Sequence, residues 1–226
     1  MKKNILTFLI VVFGILLFHI VSTLTVARGD IVRVGVIDGP LSRKIAVTNN
    51  IEHTYNLIYS NGDNHGDMVI ETIKSQAPKS EIYYAQGMDG NMGNVERIID
   101  AVYWLQKQKV DVVCLSFTAM SDNSDLYNAI KELTDAGVVV LAACLNYSDV
   151  LTYPAAYKNV ISVSNINHPT ATICITDKQK KEAIKNSTKW NDCSTSALTA
   201  FIVGHIADEK AAGIFDENAF IKKHNS

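Results

Sequence analysis

Apolar, largely β-branched residues gather into five short runs, at 31–37, 80–85, 110–116, 137–143 and 159–164. Runs of this length, bounded by polar residues, predict strands buried on both faces. Between and after them the apolar positions recur at the helical period, at roughly 66–75, 94–108, 124–136 and 195–212. Strands alternating with helices in this way predict an α/β fold in three layers: a mainly parallel sheet with helices on both faces.

The helix boundaries carry their own signals. The second helix begins near Asn94, sets Ile98, Ile99, Val102 and Leu105 on one face and ends in Gln106-Lys107-Gln108-Lys109. The third has Ser124 as its capping candidate and stops before Gly137, a residue type suited to ending helices. The fourth is different, because Ala197, Leu198, Ala200, Phe201, Ile202, Val203, Ile206 and Ala207 leave almost no polar face, which predicts a core helix. Between Asn165 and Asp192 the pattern weakens, and the polar stretch from Lys178 to Lys189 reads as a surface excursion.

Composition narrows the class. A chain of 226 residues, 47% hydrophobic with a formal charge of −2, is long enough for one substantial core. Its 21 basic residues are offset by 23 acidic ones and form no long run, so nothing points to nucleic-acid binding. At the start, Lys2-Lys3 precedes an apolar stretch from Ile5 to Val21 interrupted only by Thr7, Gly14 and His19. This predicts a membrane-targeting segment over residues 1–27, followed by a catalytic-size domain over 28–226. The basic end favours a cytoplasmic N-terminus and places the rest across the membrane. The favoured expectation is a single-pass anchor in the cell membrane; a signal cleaved after Ala27, giving a secreted domain, is the other. The four cysteines lack paired metal-ligand spacing: Cys114 and Cys144 read as small buried hydrophobes, and Cys174 and Cys193 as free thiols or an extracytoplasmic pair.

Three polar residues stand out in their settings. Asp38 ends the first β-branched run, where an α/β sheet delivers functional groups, while His65 and Ser196 each open an apolar helix. Acid, imidazole and hydroxyl in this order suggest a nucleophilic serine activated by a histidine that a carboxylate orients. A helix start suits such a serine, because its unpaired N–H groups favour developing negative charge. The run from Gly137 leads to Asn146, whose side-chain amide is a candidate second donor to an oxyanion.

With these blocks in place, residues 31 to 212 resemble the subtilisin-like serine peptidases, the subtilase family. Val34-Gly35-Val36-Ile37-Asp38 is similar to the family's aspartate motif, and His65-Gly66 with its apolar helix to the histidine motif. Gly137 to Asn146 is similar to the strand ending in the oxyanion-hole asparagine. Ser194-Thr195-Ser196, with Gly204 eight residues beyond, is similar to the Gly-Thr-Ser motif and its Val-Ala-Gly. Ala77-Pro78, Trp104, Ser116 and Tyr153-Pro154-Ala155 are supporting matches. The resemblance implies a catalytic Asp38, His65 and Ser196, an oxyanion hole at Asn146, and substrate contacts at Ser116, Phe117, Thr118 and Leu145. It implies a peptide or protein substrate laid in extended form between residues 87–93 and 116–121, with no cofactor.

The departures carry expectations as well. Leu145, Thr118 and Ser194 each stand where the family usually has glycine, and the added side chains are expected to narrow the pocket for the residue before the cut bond. Ala200 replaces a usual proline, and Gly39-Pro40 the usual Thr/Ser-Gly. The short interval from His65 to Pro78 leaves no room for a calcium-binding loop, so no metal is expected. About ten residues separate the apolar segment from the first strand, which implies folding without a pro-domain or with a helper protein. A non-catalytic peptide binder that keeps the fold is the rival expectation. A nucleotide-binding domain fits poorly, because neither G-x-G-x-x-G nor a P-loop follows the first strand. Among the remaining histidines, His205 reads as a hydrogen-bonded core residue, and His53, His168 and His224 lie in polar surroundings.

Overall fold

In the computed structural model, which describes residues 31–225 apart from Asp63, Asn91 and residues 187–192, each apolar run forms a strand of one sheet. In chain order the elements are β1 (Arg33–Asp38), β2 (Leu41–Ser42), α1 (Arg43–Thr48), β3 (His53–Tyr55), β4 (Tyr59–Ser60), α2 (His65–Gln76), β5 (Glu81–Gln86), β6 (Met88–Asp89) and β7 (Met92–Gly93). They continue with α3 (Val95–Gln108), β8 (Val112–Leu115), α4 (Ser124–Asp135), β9 (Val139–Ala143), β10 (Ile161–Ser164), β11 (Ile173–Cys174), α5 (Asp177–Asn186), α6 (Thr195–Ala211) and α7 (Glu217–His224). The segment expected to target a membrane, residues 1–27, lies outside the described residues. Among the described residues, no helix is long and apolar enough to cross a membrane.

Seven strands pair in the order β11-β10-β9-β8-β1-β5-β3, all parallel. Alternate residues of each strand face opposite layers. Val34, Val36, Tyr84, Cys114 and Leu141 pack with Met68, Ile73, Leu198 and Ile202 of α2 and α6. Ile37, Ala85, Val113, Leu115 and Val140 pack with Ile98, Leu105, Leu126 and Leu133 of α3 and α4. The three-layer α/β expectation is therefore met, and the helices predicted at 66–75, 94–108, 124–136 and 195–212 are α2, α3, α4 and α6. Helix α6 is buried almost all round, as its sequence required. Its approach to α2 depends on Gly204: a Cβ there would lie 2.7 Å from Gln76 Cβ and 2.9 Å from the Ile73 carbonyl oxygen.

Local chemistry explains where sequence and structure differ. Helix α4 is capped by Asn123, whose side chain accepts from Leu126 N–H at 2.8 Å, and not by Ser124, which is its first helical residue. The polar stretch expected as a surface excursion contains α5, because its Lys, Gln and Glu residues favour helix on their own propensity. Helix α7 has no counterpart in the sequence reading. Phe220 anchors it in the core, and the Asn225 side chain accepts from Cys174 N–H at 2.9 Å and donates to the Thr172 carbonyl at 2.6 Å. That amide pairs with the backbone of edge strand β11 as a neighbouring strand would.

His168 and His224 are buried, at 4% and 6% exposure, because α7 and the turn before β11 fold over them. His168 Nδ1 accepts from Thr170 and Ala171 N–H at 3.2 and 3.1 Å. His224 Nδ1 accepts from Gln179 Nε2 at 2.7 Å, while Gln179 Oε1 is held by the Thr176 N–H and hydroxyl, both at 2.8 Å. His205 is half-buried and lies edge-on to Phe201. Burial first, then the charges of His205 and Lys223, pulls the His224 pKa down to about 4, against opposing contributions from Glu209 and Glu182.

Two outcomes follow from this packing. Gly204→Ala overpacks the α2–α6 contact and is expected to lower the unfolding free energy by about 1–3 kcal/mol in denaturant titrations. Because the folded pKa of His224 lies below the ordinary value of 6.5, the unfolded chain takes up the proton first as the pH falls. The stability contributed by neutral His224 is expected to be lost between about pH 6.5 and pH 4, and His224→Leu should reduce the slope in that interval.

Candidate active site

Strand β1 is the point at which chain order reverses in the sheet, with β5 on one side and β8 on the other. In parallel sheets the crevice at the carboxyl ends of such strands collects functional groups. Asp38 is the last residue of β1 and has no exposed surface. Its Oδ1 accepts from Gly39 N–H at 2.7 Å, and both carboxylate oxygens lie 2.9 Å from His65 Nδ1. An acceptor pair at that distance fixes the proton on Nδ1 and leaves Nε2 as the basic nitrogen. The His65 side chain is 42% exposed, so the ring is open to solvent although its acid partner is sealed.

His65 owes its place to the start of α2. Asp67, 1% exposed, accepts from Asn64 N–H at 3.2 Å through Oδ2 and from Ser42 N–H at 2.8 Å through Oδ1. The first bond caps the helix; the second ties it to the turn that follows Asp38. Tyr84, wholly buried in β5, donates its hydroxyl to the Gly39 carbonyl at 2.8 Å. A Cβ on Gly66 would lie 2.0 Å from that hydroxyl, so only glycine fits beside His65. Burial, then the Asp38 and Asp67 carboxylates, pushes the Tyr84 pKa well above the usual phenol value and keeps it a hydrogen-bond donor.

Ser196 is the second residue of α6, where Ser194 is the cap and accepts from Ala197 N–H at 3.3 Å. As a first-turn residue it has an N–H without an acceptor inside the helix. Its hydroxyl donates to the Ser116 carbonyl at 3.1 Å, at the end of β8. Thr195 locks the helix start onto β9, its hydroxyl donating to the Cys144 carbonyl at 2.6 Å and its N–H to Asn146 Oδ1 at 2.7 Å. Asn165, fully buried after β10, donates to the same Oδ1 at 3.3 Å and to the Cys193 carbonyl at 3.1 Å, and accepts from Tyr147 N–H at 3.0 Å. With Oδ1 held by these donors, the amide group of Asn146 is set on the opposite side of its side chain.

A cleft of ≈ 350 Å³ opens beside these residues. Asp38, His65, Ser116, Phe117 and Thr118 line it together with Gly90, Gly93, Val95 and Ile98 from the opposite bank. The two segments expected to flank a substrate are thus its two walls. One is the β6–β7 hairpin, braced by Gln86 Nε2 donating to the Met88 carbonyl at 3.1 Å and by Arg97 pairing with Asp89 at 2.8 Å. The other is tied down by paired backbone bonds between Ala119 and Tyr153 at 2.7 and 2.9 Å. Leu145 is half-buried and does not line this cleft. Among the described residues, no three His, Cys, Asp or Glu side chains converge to hold a metal ion, and the four cysteines are free. Cys114, wholly buried, has its thiol pushed up to about 12 by burial and is inert.

Asp67, Tyr84, Gln86 and Asn165 are the residues the sequence reading passed over. Asp67 falls three residues after Asn64, a capping spacing visible in the sequence. A tyrosine in a fully buried strand signals a hidden hydroxyl partner. Asn165 carries no local signal, because its partners lie about 20 and 30 positions earlier and later in the chain.

Comparison with known proteins gives this geometry a family. The sequence profile of the subtilase family matches residues 46–207. The minor extracellular protease Epr of Bacillus subtilis is 28% identical over 126 residues, which is 50% of this chain and 20% of that protein. The major intracellular serine protease of the same organism is 31% identical over 123 residues, covering 51% of this chain and 37% of that protein. This chain therefore spans well under half the length of either relative. Among solved structures, the prenylagaramide maturation protease PagA superposes with a TM-score of 0.59 at 17% identity, covering 81% of this chain and 77% of its own. The protease domain of PatA gives 0.52 at 20% identity, covering 60% and 58%. The fold is shared with both, and with the profile spanning most of the sheet and both central helices, the chain belongs to the subtilase family.

Proposed function

We propose that this chain is a serine endopeptidase in which Asp38, His65 and Ser196 form the catalytic triad. The observation that carries the reading is the sealed Asp38 carboxylate with both oxygens 2.9 Å from His65 Nδ1, at a cleft whose Ser116 also holds the Ser196 hydroxyl. The Ser196 hydrogen swings from the Ser116 carbonyl to His65 Nε2 as Oγ attacks the substrate carbonyl carbon. The imidazolium formed is stabilised by Asp38 and returns its proton to the leaving amine. Water then releases the acyl group by the same route. The amide of Asn146, turned by the bonds that Thr195 N–H, the Thr195 hydroxyl and Asn165 make to its oxygen, and the first-turn N–H of Ser196 suit the oxyanion.

Substrate enters as an extended peptide between the β6–β7 hairpin and residues 116–121, which supports main-chain pairing on both sides. Thr118, which lines the cleft, restricts the residue before the cut bond to a small side chain. The apolar, Lys-led N-terminal stretch supports an extracytoplasmic site of action, tethered to the membrane or secreted, on a peptide or protein substrate. The Ser116 carbonyl, as a rival acceptor for the Ser196 hydroxyl, supports a second reading: a binding protein that holds extended peptides without cutting them.

Labelling with a fluorophosphonate probe separates the two. The endopeptidase is expected to take up the probe and Ser196→Ala to abolish uptake; a folded chain that takes up none is the binding protein. Asn146→Ala is expected to lower kcat about 10²–10³-fold with little change in KM, the loss seen when a related subtilisin is deprived of one such donor. Thr118→Gly should raise kcat/KM on the order of tenfold for peptides with a large residue before the cut bond and leave glycine or alanine there unaffected, read in a peptide-library assay.

A further inference from the structure

Asp38 and His65 sit on separate elements, the end of β1 and the start of α2, with 26 intervening residues that include three short strands and α1. Their separation depends on whatever fixes one element against the other. Two buried polar groups do so. The Tyr84 hydroxyl touches the chain on both sides: it donates to the carbonyl of Gly39, next to Asp38, and fills the space a side chain on Gly66, next to His65, would need. The Asp67 carboxylate spans the same joint, with one oxygen on Ser42 N–H beyond Asp38 and the other on Asn64 N–H before His65. Both side chains are at most 1% exposed, and neither reaches the cleft.

We propose that Tyr84 and Asp67 are positioning residues: a buried brace that sets the Asp38–His65 distance from behind, without touching substrate. A hydroxyl wedged between two backbones resists closing of the joint. A carboxylate bonded to N–H groups on both sides resists its opening. Together they hold the dyad at one spacing while His65 stays solvent-accessible for proton transfer.

The kinetic consequence rests on the endopeptidase reading; the spectroscopic one does not. Tyr84→Phe removes one oxygen, keeps the ring and leaves every charge in place. In the full chain carrying labelled histidine, its His65 titration midpoint is expected to fall, since a looser Asp38 contact favours the imidazolium less. The low-field proton signal of the His65–Asp38 hydrogen bond should also move or broaden. With peptide substrate, kcat should fall on the order of tenfold at unchanged KM, given that an ångström of misplacement costs roughly 100-fold. Asp67→Asn, which keeps the Ser42 acceptor and loses the Asn64 one, is expected to give the same loss of kcat and the same change in the low-field signal. It decides the matter if Tyr84→Phe does not fold. A lower melting temperature with unaltered His65 signal and unaltered kcat would reduce both residues to plain core groups and overturn the proposal. A chain that never cleaves peptide but shows the Tyr84→Phe shift keeps the brace and loses the endopeptidase reading. A cleaving chain whose variants behave as wild type loses only the brace.

Discussion

A carboxylate with no solvent exposure, at the end of a central parallel strand, costs several kcal/mol to bury unless its charge is answered by hydrogen bonds. Asp38 is in that position, and much of the surrounding architecture answers it. The Gly39 amide takes one oxygen and the His65 ring takes both. The helix carrying His65 must therefore begin close to the strand end, and the loops between must return the chain there. Gly66, the capping residues Asn64 and Asp67, and the buried Tyr84 hydroxyl are the local terms of that requirement.

The second half of the site is built by a different device. Helix α6 is so apolar that it is driven into the middle of the structure, and its first turn emerges where β8 and β9 end. Thr195 bonds it to Cys144 and Asn146, while Asn165 clamps the loop between them. A single hydrophobic requirement thus brings the Ser196 hydroxyl onto the carbonyl of Ser116, a residue of the cleft wall, and a few buried hydrogen bonds fix the helix start and the Asn146 side chain. Core packing supplies the driving force; buried polar groups supply the geometry.

The walls of the cleft follow the same division. Gln86 and the Arg97–Asp89 pair stiffen the β6–β7 hairpin, and the Ala119–Tyr153 bonds fix the opposite strand-like segment. Thr118 lines the cleft between these walls, whereas Leu145 stands outside it.

The sequence by itself determined the layers. Continuous β-branched runs separated by helical periods specify a buried parallel sheet with helices on both faces, and strand-end Asp38 and helix-start His65 and Ser196 were legible because each sat at a boundary marked by its own neighbours. Polar helix α5 was hidden because its periodicity is weak, and α7 because its placement is settled by one phenylalanine and by an asparagine that caps a distant strand. The burial of His168 and His224, the true cap at Asn123 and the roles of Tyr84, Asp67 and Asn165 were likewise decided only by tertiary structure. Strand and helix propensities are set by neighbours within a few residues, whereas the partner of a buried polar group is chosen by the fold, often 20 or more residues away. The sequence named the acid, the imidazole and the hydroxyl; the packing of β1 against α2 decided that the first two meet, and that of α6 against β8 and β9 set the hydroxyl on the Ser116 carbonyl.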